Sequence, residues 1–265
     1  MTFVVALTGL PNGGYVANDV RVGSFDAQER FVPWPDVGLQ KVYPIGPFVV
    51  AGFAGSVELG FWAIDDLRRY VGDPPEGIAV ITSVIARWWW RRPRRAWGSI
   101  PAHLQQLGLS VIILGVSPAA TPLTASHAFV FRHPEFQFER IDPFRPNGIG
   151  SGNGVPQAIR ALADLVHPDN LNNGLLRFEI GLPMGGADAL GLALGAALEN
   201  EPTPDVSAEF QIWRVRRGEI LVGSNETTAL TPGATSRVLP RLATSWREFQ
   251  ELTAEAGRAA TAAVA

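Results

Sequence analysis

The sequence predicts an α+β fold, a four-layer αββα sandwich in which two antiparallel sheets pack together with helix pairs outside. Three observations predict it. Short β-branched and aliphatic runs alternate with amphipathic helical stretches in the order strands, two helices, strands, two helices, strands. Every apolar run is broken by glycine, proline or charge well before the ~18 residues of a membrane span. The 28 glycines and 21 prolines are spread as punctuation rather than gathered into a linker. The 265 residues, 46% hydrophobic and 18% charged, therefore read as one large folded domain over 1–238 with a helical extension over 239–265.

Taken in order, Thr2 to Thr8 is an aliphatic strand, and the turn signal Gly9 to Gly14 leads into Tyr15-Val16-Ala17 as a hairpin with a widened loop. Phe25 to Gly38 reads as a long loop. Val42 to Phe53 is a strand pair bent at Pro44 and Gly46-Pro47. After Gly52-Phe53-Ala54-Gly55, Ser56 is placed to cap a helix whose Val57, Phe61, Ile64, Leu67 and Val71 share one face. A second helix runs from Pro75 to about Arg92, where Pro93 stops it. Leu109–Val116, His127–Arg132 and Phe136–Ile141 form a meander leading to the glycine-rich stretch Gly148 to Gly154. Two further helices are predicted near Pro156–Val166 and Ala187–Glu199, then a hairpin of Phe210–Val215 and Glu219–Val222, then an alanine-rich terminal helix.

Composition excludes several chemistries. The chain contains no cysteine, which removes disulfides, thiolate nucleophiles, iron–sulfur clusters and cysteine-bound zinc. His103, His127, His133 and His167 are scattered without metal-ligand spacing, so no metal and no cofactor is expected. A net charge of −3 argues against bulk nucleic-acid binding. The first residues carry no basic region before their apolar run, so neither a secretory signal nor a membrane anchor is expected, and the reading is cytoplasmic. Among 22 lysines and arginines only Lys41 is lysine. GC-rich coding accounts for part of that bias. The remaining residue marks a place where arginine cannot serve, because arginine keeps its proton whereas a partly buried ammonium can lose one.

Thr2 to Leu7, Asp19-Val20-Arg21, Lys41-Val42-Tyr43, Ala51 to Gly55 and Ile149-Gly150-Ser151-Gly152 occur in an order that resembles the proteasome β-type family and the bacterial HslV-type peptidase. These are N-terminal-nucleophile hydrolases, and the resemblance spans roughly residues 2–222. It implies that Thr2, exposed once Met1 is removed, is the nucleophile. A terminal α-amine of pKa about 7.7–8.0 is then a base matched to the hydroxyl it must deprotonate. It also implies that Lys41 lies beside the nucleophile, with Asp19 pairing its ammonium. Gly52 would serve the oxyanion and substrate cleft, Ser151 would bond the terminal amine, and Asp205 with Ser207 would complete the site. The family's Asp-x-x-Ser-Gly-Gly is absent, so the last two follow position only, and Thr203 competes for the hydroxyl role. Read without the resemblance, Thr2 begins an edge strand, Asp19 ends a strand, Gly52 makes a tight turn and Ser151 caps a helix. Arg21 is open between shaping the pocket and a structural role.

Arg87 to Trp97 holds four of the eight tryptophans and five arginines. Three consecutive tryptophans on a helix span about 200°, so at least one must leave the core. Trp88, Trp89, Trp90, Arg91 and Arg92 are therefore read as an assembly surface, since these residue types are enriched at interface centres. A nucleic-acid or membrane-surface patch and a plain core helix are the competing readings. The expectation is a self-compartmentalising threonine peptidase that cleaves peptides or unfolded protein. It would form a homo-oligomeric ring or stacked rings, with an ATP-dependent unfoldase as a possible partner. A non-catalytic scaffold retaining Met1, and an amidase acting on small amides, are the alternatives.

Overall fold

β1 (Phe3–Leu10) is buried along its whole length because it is paired on both edges and covered on both faces. In the computed structural model the described residues are 3–10, 13–25, 31–71, 82–116, 126–150, 154–165, 190, 194–195, 206–207, 209–216, 219–224 and 238–264. β1 lies between β10 (Asn147–Gly150) and β2 (Gly13–Asp19), and β11 (Phe210–Arg216) and β12 (Glu219–Ser224) extend the sheet, all antiparallel. A second sheet is a meander of β5 (Val42–Gly46), β6 (Val49–Gly55), β7 (Leu109–Val116), β8 (Ser126–Arg132) and β9 (Phe138–Ile141).

Strand periodicity sorts the side chains of these sheets. Val4, Ala6 and Val16 of the first sheet meet Val42, Val50, Ile112 and Leu114 of the second in one dry cluster. The odd residues Phe3, Val5 and Leu7 point the other way. They are covered by Leu162 of α5 (Gly154–Leu165), together with Leu190 and Leu194. On the far side of the second sheet, α1 (Val57–Val71) lays Leu59, Ile64 and Leu67 on Phe53, Val111 and Ile113. Ser56 caps this helix as expected, its Oγ accepting the Leu59 N–H at 3.3 Å.

The four-layer αββα sandwich is not what forms. The described residues build three sheets rather than two, and strand is their dominant structure. The third sheet has the order β13-β4-β3, from β13 (Arg241–Ala243), β4 (Phe31–Leu39) and β3 (Arg21–Phe25). β4 occupies most of the stretch expected to be a loop. Pro33 and Pro35 hide it, because a residue without an N–H argues against a central strand. The ladder accommodates them with a register shift between Arg21 and Gly23, where Gly23 faces Pro33. β13 in turn occupies the start of the stretch expected to be wholly helical, and the terminal helix α6 begins only at Trp246 (Trp246–Val264). Trp34 of β4 packs on Phe249 of α6, which ties that helix to the third sheet.

Pro93 does not end the helical region. α2 (Thr82–Trp89) stops before it, and Pro93 then sits in the first turn of α3 (Arg91–Trp97), where a missing N–H costs no intrahelical bond. A short α4 (Ala102–Leu107) leads into β7.

Candidate functional site

Asp19 ends β2, opposite Phe210 of β11, and its Oδ1 accepts the backbone N–H of Phe3 at 2.8 Å. Lys41 immediately precedes β5 and reaches the same oxygen, with Nζ 2.7 Å from Asp19 Oδ1. Nζ also donates to the Arg21 carbonyl at 2.9 Å. The chain holds Lys41 in place from both sides. Leu39 and Gln40 bond Val20 and Ala243 through their N–H groups, and the Lys41 carbonyl accepts from Phe53. Three elements from two sheets thus converge on one carboxylate oxygen at the start of β1.

Both side chains of the pair are 0% exposed. Burial pushes the Lys41 ammonium below the usual lysine range, the charge and hydrogen bond of Asp19 pull it back, and the Arg21 charge lowers it further. Asp19 Oδ2 is buried and has no hydrogen-bond partner among the described residues. Among the described residues two of the three Lys41 N–H groups are engaged. The pair is therefore a buried acid–base couple beside the first residue of β1, with hydrogen-bonding capacity on the carboxylate left over.

Asp19, Lys41 and the Arg21 carbonyl meet at one point. The Arg21 side chain instead lines a cleft of about 540 Å³ with Val20, Trp34, Ser207, Glu209 and Arg241. Ser207 is buried there and donates its hydroxyl to the Glu209 carbonyl at 3.0 Å. Thr2, Ser151 and Asp205 lie outside the described residues. Phe3 is in register with Gly150, and Phe210 with Asp19.

Gly52, expected at the oxyanion and substrate cleft, is a strand residue. It is in register with Val42 on one side and Ile112 on the other, in the middle of β6. A Cβ there would sit 3.0 Å from Val4 Cγ1 and from Val42 Cγ2. Gly52 lets the two sheets close on each other at this point. The tryptophan–arginine segment divides as well. Trp89 is buried and donates Nε1 to Asp66 Oδ2 at 3.0 Å, and Arg92 grips the same carboxylate with Nε and Nη2, the shortest contact being 2.6 Å. Trp90 is half-buried, while Trp88 is 47% exposed with the Arg91 guanidinium 4.7 Å above its ring. Trp88 and Arg91 remain as outward-facing residues; Trp89 and Arg92 join α1 to α2 and α3.

A second, smaller cavity escaped the sequence. It opens where β6 and β10 end and β7 begins, its described lining including Gly55, Leu107, Gly108, Ser110, His133 and Gly150. These residues are far apart in the chain and share no motif. Among the described residues no group of three or more His, Asp or Glu side chains is arranged to hold a metal, and no helix is long and apolar enough to cross a membrane. No family model matches this chain, and no curated protein matches it either.

Proposed function

We infer that the chain is an N-terminal-nucleophile hydrolase that cleaves peptide bonds with Thr2 after removal of Met1. The observation that carries this reading is the fully buried Lys41–Asp19 pair against the backbone N–H of Phe3, the residue next to Thr2. A buried ion pair adds little to stability, because desolvation offsets its attraction. A lysine whose pKa is depressed by burial is the type of group found at reaction centres. In the proposed reaction the Thr2 Oγ attacks the peptide carbonyl carbon while its proton passes to the α-amine. Collapse of the tetrahedral intermediate expels the amine product with that proton and leaves an ester on Thr2. Water then attacks the ester carbonyl, giving a proton to the α-amine; the acyl C–Oγ bond breaks, the carboxylic acid product leaves and that proton returns to the Thr2 Oγ. Lys41 stabilises negative charge developing at the nucleophile, and Asp19 fixes the ammonium.

The cleft beside Arg21 is of a size to receive a peptide segment, within the roughly 300–1,000 Å³ of ligand sites. The same reading places the protein in the cytoplasm, as a ring or stacked rings of identical subunits joined partly through the face that bears Trp88 and Arg91, with an ATP-dependent unfoldase as a possible partner. Hydrolysis of fluorogenic peptide amides by the wild type and by Thr2→Ala tests it. The reading expects turnover that the substitution abolishes. Equal rates from both proteins refute it, and turnover of simple amides but not peptides moves the assignment to a small-amide hydrolase.

A further inference from the structure

The segment from α2 into α3 holds five arginines, and the sequence has no aspartate or glutamate between Glu76 and Glu135. Trp90, at the junction, keeps right-handed helical dihedrals (φ −53°, ψ −24°), and its carbonyl accepts the Arg94 N–H at 3.4 Å. The helical path therefore continues from α2 into α3, and Arg87, Arg91 and Arg95, four residues apart, share one side of it. At 1.5 Å per residue the row is about 12 Å long. All three are exposed. The other two arginines have acids within the chain: Arg92 grips Asp66, and Arg94 Nη2 lies 2.8 Å from Glu135 Oε2. Arg87, Arg91 and Arg95 have no acidic partner among the described residues, and the exposed ring of Trp88 lies under Arg91. Like charges at this spacing repel, so the row is unfavourable on its own. It is nevertheless firmly mounted. Pro93 and Trp97 are buried, and Trp89 and Arg92 both bond Asp66 of α1, which fixes the backbone before any partner arrives.

Charge selects the partner. Without the five arginines of this segment the net charge of −3 becomes −8, so the rest of the molecule is acidic. Glu58 of α1 and Glu255 of α6 are exposed carboxylates with no ion pair among the described residues. The row cannot lie against its own image across a two-fold axis, because like charges would meet. It fits a different, acidic part of a second copy. A polynucleotide suits it less. The molecule as a whole is negative, and the Arg91 and Arg94 guanidiniums already lie over the Trp88 and Trp90 rings on which bases would stack. A membrane surface suits it less too, since Ile85, Ala86 and Trp89 turn the apolar side of α2 into the core.

We propose that Arg87, Arg91 and Arg95, with Trp88, form an electrostatic docking surface for an acidic part of a second copy of this chain. The proposal rests on the reading of the protein as an assembly of identical subunits, and not on its chemistry. Sedimentation velocity of the purified full-length protein over a range of concentrations tests it, between about 0.1 M and about 1 M salt, where the screening length falls from about 10 Å to about 3 Å. Self-association that salt weakens is expected. Glutamate at 87, 91 and 95 together should raise the dissociation constant at least about tenfold. Lysine at the same three positions keeps the charge and should stay closer to the wild type than to the glutamate variant. Arg145→Glu, an exposed reversal outside the row, should change nothing. A wild type that is monomeric throughout, association that salt does not weaken, or a folded triple-glutamate variant that associates like the wild type overturns the proposal. If the glutamate variant does not fold, a lysine variant that fails to associate overturns it in the same way. Capture of a monomeric wild type by anionic vesicles or a single-stranded oligonucleotide overturns it likewise. Thr2→Ala should associate normally while losing turnover. Association without Thr2-dependent turnover therefore refutes the peptidase reading alone, and turnover by a monomer refutes the docking surface alone.

Discussion

Lys41 and Asp19 depend on each other energetically. Removing one partner of a buried ion pair strands the other charge, and such truncations typically cost about 3–5 kcal/mol, whereas replacing both with apolar residues is often close to neutral. Lys41→Met and Asp19→Leu are each expected to destabilise the protein by about that amount in urea unfolding, and the double variant by clearly less than the sum. Additive effects would mean that the two side chains are not coupled. Both residues were legible in the sequence, Lys41 because it is the only lysine and Asp19 because its triplet has a place in a recurring order. The smaller cavity was not legible, because the glycines at 55, 108 and 150 that line it come together only on folding. What Gly52 approaches was not legible either, since a glycine inside a strand marks close approach without saying what approaches, and here it is Val4 of the opposing sheet.

At the scale of elements, carboxylates tie helices to the body of the protein. Asp66 of α1 accepts from Trp89 of α2 and from Arg92 of α3, so Asp66→Ala leaves a buried indole N–H and a guanidinium without their acceptor. The expected loss is about 1–3 kcal/mol, measured by urea denaturation, with Asp66→Asn losing less. At the start of α6, Ser245 Oγ accepts the Glu248 N–H, while the Glu248 carboxylate accepts both the N–H and the hydroxyl of Thr244. These bonds hold the Glu248 pKa below its ordinary value, chiefly through the Thr244 backbone. A depressed carboxylate pKa stabilises the folded state above the unfolded pKa. The contribution disappears as pH falls through the lower folded value. Glu248→Ala is accordingly expected to cost about 0.5–1 kcal/mol at neutral pH and almost nothing in strong acid, and a pH-independent loss would contradict the capping role. The helix capped by Ser56 and the meander of the second sheet were readable, because one periodicity ran through each. β4 was not, since its prolines look like loop residues until a partner strand with a shifted register is present.

At the scale of the molecule, the sequence predicted two sheets and the described residues form three. The additional sheet is made from Arg21–Phe25, Phe31–Leu39 and Arg241–Ala243, segments whose pairing no local pattern announces, with β13 running parallel to β4. It lies where the cleft beside Arg21 opens, so the part of the fold that the sequence concealed is also the part that borders the candidate site. The account as a whole turns on whether Thr2 is a free, reactive terminus beside the buried pair. Intact mass of the protein purified from its native cells, before and after treatment with an epoxyketone directed at N-terminal threonine, tests this most directly. The account predicts loss of one methionine and a single adduct that Thr2→Ala abolishes; a mass that retains Met1 and gains no adduct would contradict it.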